Sequence, residues 1–138
     1  MVDKDFMNIK DQVDYLIKLI DISMNNYNRN DFENKHVYYK LEGLQSDLDC
    51  ISEYIKYMNT VPVEGYLVEL DNEKYECPEA DMRYSCGSQM EAYIKPYEDE
   101  EPMWCIGRVE HDTDKGYYFL NYEGDNVVLY EGMKVRVR

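Results

Sequence analysis

Histidine is nearly absent from this sequence, with His36 and His111 the only two in 138 residues. Neither sits in a recognisable catalytic signature, which removes most routes to a general base or an activated nucleophile. The four cysteines do not make up the shortfall. Strong zinc sites pair their ligands about two to four residues apart, whereas Cys77 and Cys86 are nine apart and Cys105 and His111 six. No metal and no cofactor are expected, and the chain is read as non-enzymatic. Long apolar runs are missing too: no stretch approaches the roughly 20 residues that cross a bilayer, and none of signal-peptide length stands near the start. Without an export signal, Cys50, Cys77, Cys86 and Cys105 are expected as reduced thiols and the protein as cytoplasmic. Positive charge is the last scarcity. Fifteen Lys and Arg face 29 Asp and Glu, a net charge of −14. That balance disfavours direct contact with nucleic acid or anionic membrane and makes a basic protein the natural partner.

What the chain does have is a 44% hydrophobic fraction with 15 tyrosines, enough apolar body to offset the entropy of ordering it. Phe6, Ile9, Val13, Leu16 and Ile20 step by three and four, one stripe of a helix that Met24 and Tyr27 continue past Ser23. The asparagine-rich "NNYNRND" that follows favours a loop. Asn30 and Glu33 have capping-box spacing, so a second helix is expected from near Asp31. Its stripe is Val37, Leu41, Leu44, Leu48, Ile51, Ile55 and Met58, a heptad seam for an antiparallel neighbour. Tyr15, Tyr38, Tyr39, Tyr54 and Tyr57 lie off that seam. Pro62 ends the helical pattern.

Beyond it the period becomes two. "GYLVEL", "SQMEAYIK", "MWCIGRVEH", "GYYFLNY", "NVVLY" and "MKVRVR" are short β-rich runs between turn signals. The expected fold is α+β: an N-terminal antiparallel helical hairpin over 1–61, then a small, strongly bent antiparallel β-sheet or SH3-like barrel over 62–138. In the terminal run, Lys134, Arg136 and Arg138 share one strand face, expected as a solvated edge or as partners of the protein's own acids.

The region from Gly65 to Arg138 resembles a family of small domains of unknown function found in Firmicutes and their mobile elements. The resemblance lies in "GYLVEL…KYE", "YSCGS", Trp104 leading into "RVEHD", "GYYF" and the terminal "YEGMKVRVR". It implies no reaction and no catalytic residue. It does imply a mobile-element setting, and an antagonist or accessory role more readily than metabolism.

Charge is the most informative pattern. Residues 64–101 hold 12 acids and 3 bases, so nine of the fourteen net negative charges fall in 38 residues. Glu69, Asp71, Glu73, Glu76, Glu79, Asp81, Glu91, Glu98, Asp99, Glu100 and Glu101 are the candidate partner-binding residues, expected within about one Debye length of one another, roughly 8 to 10 Å. Carboxylates spaced over a rigid β surface imitate phosphates and fit a cationic nucleic-acid channel. The expected function is therefore a non-catalytic acidic module that inhibits or adapts a basic nucleic-acid-handling protein, such as a restriction or RNA-guided CRISPR nuclease. The alternative is a structural module that self-associates into a homodimer through the hairpin, with the acids serving solubility alone.

Overall fold

The computed structural model covers residues 1–138, and the chain divides into two compact units, Met1–Val61 and Pro62–Arg138. The first holds helices α1 (Lys4–Asn26) and α2 (Phe32–Met58). Asp3 caps α1 by accepting from the Asp5 backbone N–H, satisfying one of the donors that a helix start leaves open. No helix is long and apolar enough to cross a membrane.

The cap of α2 differs from the expected box by one position. Asp31, not Asn30, is the N-cap, and its carboxylate accepts from the Asn34 N–H at 2.9 Å. Asn30 is held in the loop because its own N–H donates to the Asn28 side chain at 3.0 Å.

The helix–helix contact is also turned from the expected seam. The inward residues of α2 are Tyr38, Leu41, Gln45, Leu48, Ser52 and Ile55, while Val37, Leu44 and Ile51 are exposed. Two polar ties between the helices set this rotation. Gln45 donates to Asp21, and Ser52 donates to Asp14, whose other oxygen pairs with Lys10 at 2.6 Å. Ile20 is buried at the centre, and Tyr27 stacks on Tyr38 at 4.8 Å near the loop.

The second unit is built from β1 (Val63–Tyr66), β2 (Val68–Glu69), β3 (Tyr75–Cys77), β4 (Met82–Arg83), β5 (Gln89–Ile94), β6 (Met103–Asp112), β7 (Gly116–Asn121), β8 (Val127–Val128) and β9 (Lys134–Val137). Six strands make an antiparallel sheet in the order β1-β9-β5-β6-β7-β8, and β2-β3-β4 make a second, smaller one. The fold is α+β, as the change of period from 3.6 to 2 requires. Alternation is clean in β6, where Cys105, Gly107 and Val109 point inward and Trp104, Ile106, Arg108 and Glu110 outward. Leu67, Cys77 and Tyr84 from the smaller sheet and its flanks join Met90, Ala92, Phe119, Met133 and Val135 in one core. Gly107 is where strands approach too closely for a side chain: a Cβ there would lie 2.0 Å from the Leu120 carbonyl oxygen.

The terminal strand is not a solvated edge. β9 lies between β1 and β5, with Glu64 and Glu91 both opposite Arg136. Its bases are engaged. Lys134 pairs with Glu64 at 3.4 Å and lies over the Tyr93 and Trp104 rings, and Arg136 stacks 4.3 Å from the Trp104 centroid.

Candidate functional site: an acidic ridge at one end of the sheet

β5 and β6 pair up to Ile94 and Met103, leaving residues 95–102 as the hairpin tip. A turn closed by the Glu100 N–H donating to the Tyr97 carbonyl carries Glu98, Asp99, Glu100 and Glu101, all exposed. The tip is braced rather than free. Pro96 is buried, and its carbonyl accepts from the Asp125 N–H at 2.8 Å. Gly124 permits that approach, because a Cβ on it would sit 2.2 Å from the Pro96 oxygen.

This contact adds two acids that sequence reasoning missed, Glu123 and Asp125. The Glu123 carboxylate accepts from the Ile106 N–H at 2.7 Å, and its own N–H donates to Asn121. The thiol of Cys105, just beneath, is pushed up first by burial and then by the charges of Glu123 and Glu100. The Pro96–Asp125 bond is what brings the two loops together. Glu98, Asp99, Glu100, Glu101, Glu123 and Asp125 make no ion pair within the chain. Six like charges on two braced loops repel one another and project a concentrated negative field.

The remaining expected acids do not all join this ridge. Glu69 and Glu73 gather with Glu131 around Tyr75, whose phenol is raised first by burial and then by those three charges. The Glu69 N–H also donates to the Glu131 carboxylate at 3.4 Å. Asp71 is exposed in the same β2–β3 turn, where Glu73 has a φ of 64°. Glu76 pairs with Arg83 at 3.3 Å. Glu79 accepts from the Tyr66 N–H, and its carboxyl is lowered by backbone hydrogen bonds, that of its own N–H foremost. Asp81 is exposed and ends the short 3-10 turn Pro78–Ala80 in a left-handed conformation.

Glu91 is the clear correction. It is 3% exposed, and both its oxygens are taken by guanidinium groups, Arg136 at 2.8 Å and Arg138 at 2.8 Å. An isolated carboxylate would not tolerate that burial, whereas one held by two arginines does. It is a structural charge, unavailable to a partner. Of the acids expected from residues 64–101, Glu91 and Glu76 are thus held by arginines, Glu98 to Glu101 stand with Glu123 and Asp125, and Glu69 and Glu73 gather with Glu131 at Tyr75.

All four cysteines are free thiols. Cys77 and Cys105 are core residues, and burial is the first cause of the upward shift of each thiol. Cys86 is exposed, 3.4 Å from Glu110. His111 packs its ring on Tyr117 at 4.8 Å.

A family model described as "Domain of unknown function (DUF5348)" matches residues 65–137, which run from within β1 to the end of β9. No curated protein and no solved structure matches the chain.

Proposed function

This chain belongs to the family described as Domain of unknown function (DUF5348), a description that carries no reaction, and on that premise we propose that it is a non-catalytic acidic binding module. Its partner is a basic protein that handles nucleic acid. The observation behind this is the ridge of Glu98, Asp99, Glu100, Glu101, Glu123 and Asp125, six carboxylates in no ion pair within the chain, on loops braced by the Pro96–Asp125 bond. Bracing matters because a flexible acidic tip must be ordered on binding, whereas a held one presents its charges at fixed spacing. Carboxylates so held offer a cationic channel what a phosphate backbone offers it, and the field speeds encounter. A mobile-element or bacterial-host setting in Firmicutes, suggested by the resemblance of the β region, makes restriction and RNA-guided nucleases the targets to try. Nucleic acid and membrane are not partners in this scheme.

The test is binding to nucleic-acid-free nucleases of both kinds at low and high salt. The variant changes Glu98, Glu100 and Glu101 to Gln and Asp99 to Asn. Rim charges act mainly on association rate and salt dependence, so affinity at low salt should fall on the order of 10- to 100-fold. Stability should stay within about 0.5 kcal/mol. A nuclease bound equally well by both proteins at both salt concentrations refutes the proposal.

A further inference from the structure

The hairpin has an apolar face that its own two helices do not cover. Side chains advance about 100° per residue along a helix. On α2, the inward residues Leu41, Leu48 and Ile55 are therefore flanked on one side by Val37, Leu44 and Ile51, which are 56%, 43% and 47% exposed. On α1, Ile9 and Leu16 are likewise exposed beside the inward Val13 and Ile20. In two antiparallel right-handed helices, the low-angle flank of each turns to the same side of the pair. These residues thus share one face, with the interhelical groove as its floor.

On α1 the stretch of this face from Ile9 to Leu16 carries no charge, and Asp5 lies on it one turn before Ile9, at the helix start. The positions beside it there are Asn8, Gln12 and Ser23, while Lys10, Asp11, Asp14, Lys18 and Asp21 fall elsewhere around the helix. On α2 the face carries three charges, Glu33 in the first turn and Lys40 and Asp47 either side of Leu44, all exposed and none in an ion pair within the chain. The placement of Lys40 and Asp47 is self-complementary. Counting from Leu44, Val37 is seven residues back and Ile51 seven on, while Lys40 is four back and Asp47 three on. A two-fold axis across Leu44 lays Val37 against Ile51 of the other copy, Leu44 against Leu44, and Lys40 beside Asp47.

We propose that two copies of this chain pair through this face, α2 antiparallel to α2 about Leu44, closing a four-helix arrangement. Steps of three and four along both helices suit such packing, in which every helix has two neighbours. The extent suits a modest dimer. At about 1.5 Å per residue and about 10 Å width, full overlap of α2 with partial overlap of α1 gives a footprint of roughly 550 Å² per copy. The total, about 1,100 Å², stands just above the roughly 1,000 Å² that a specific interface must clear and below the usual range of about 1,200–2,000 Å². Dissociation in the range of about 1 to 100 µM is expected. This pairing is independent of the acidic ridge, and the four tip substitutions leave it unchanged.

Sedimentation velocity on the full chain from about 1 to 500 µM tests it. The wild type should pass from monomer to dimer, and Leu44→Glu should stay monomeric with its helical circular dichroism retained. Charge variants guard against misfolding as the explanation. Lys40→Glu should weaken the dimer about 3- to 30-fold, two like-charge contacts replacing two favourable ones, and adding Asp47→Lys should restore it to within about 2-fold. A wild type that is monomeric throughout overturns the proposal, because the face is then covered by another protein or by another part of the chain. So does a dimer untouched by Leu44→Glu, or a Lys40→Glu loss that Asp47→Lys fails to rescue.

Discussion

Replacing Glu91 with Gln isolates the charge at the centre of the β unit, because the volume is kept and only the negative charge is lost. The carboxylate side chain is 4% exposed, and the arginines that hold it are 19% and 12% exposed. Each charge pair is worth about 4 kcal/mol at an effective dielectric near 20, a gain largely cancelled by desolvation. Breaking such an arrangement still leaves two guanidinium groups side by side with no counter-charge, typically a loss of about 3–5 kcal/mol. Arg136 keeps its stacking on Trp104, and both arginines retain some water, so about 2–4 kcal/mol is expected here. For a 77-residue unit this lowers the melting temperature on the order of 10 to 25 °C. Urea unfolding followed by Trp104 fluorescence reads the site itself, since that indole is the only one in the chain. Glu76→Gln is the control: its pair with Arg83, whose side chain is 80% exposed, should be worth less than about 1 kcal/mol. A Glu91→Gln protein within about 0.5 kcal/mol of wild type would refute the account of Glu91 as a structural counter-charge.

Gly124→Ala should part the two loops of the acidic ridge, since the new Cβ meets the Pro96 carbonyl. A stability loss of about 1–3 kcal/mol is expected, with weaker nuclease binding in a pull-down although no charge is altered. In the hairpin, Asp14 has its carboxyl held below the usual range, first by the Lys10 hydrogen bond and then by Ser52. A lowered folded-state value means that its contribution is present above the ordinary carboxylate pKa and is lost as pH falls through the folded one. Asp14→Asn should therefore destabilise the helices at pH 7 and match wild type near pH 2, as followed by circular dichroism during urea unfolding. An equal gap at both values would contradict the assignment.

The helices were legible because their stripes are local: spacing alone locates Phe6 to Tyr27 and Val37 to Met58. Which part of a stripe faces the neighbour was not legible, because Gln45–Asp21 and Ser52–Asp14 join residues 24 and 38 apart. The strands were equally visible as alternating runs, but pairing is non-local. Glu91 does occupy the outward side of β5, as alternation says. Only the register that sets it opposite Arg136 reveals why it is buried. The terminal "KVRVR" reads as an edge from its position in the chain and becomes interior once β9 enters between β1 and β5. Glu123 and Asp125 escaped notice because residues 102–138 hold 6 acids against 5 bases and are nearly neutral. A meander would have predicted them, since hairpin connections alternate ends and the β5–β6 and β7–β8 turns must fall at the same one.

The pin at Glu79 bears on how the β unit keeps to itself. A sheet with free margins invites a further strand, and this one is rich in tyrosine and valine, the composition that feeds cross-β stacking. On the β1 side, an outward N–H is already occupied by the Glu79 carboxylate. On the opposite side, β8 offers only Val127 and Val128, too short a run to template growth. Both borders resist recruitment of foreign strands, so crowding at high expression should yield reversible association rather than fibrils.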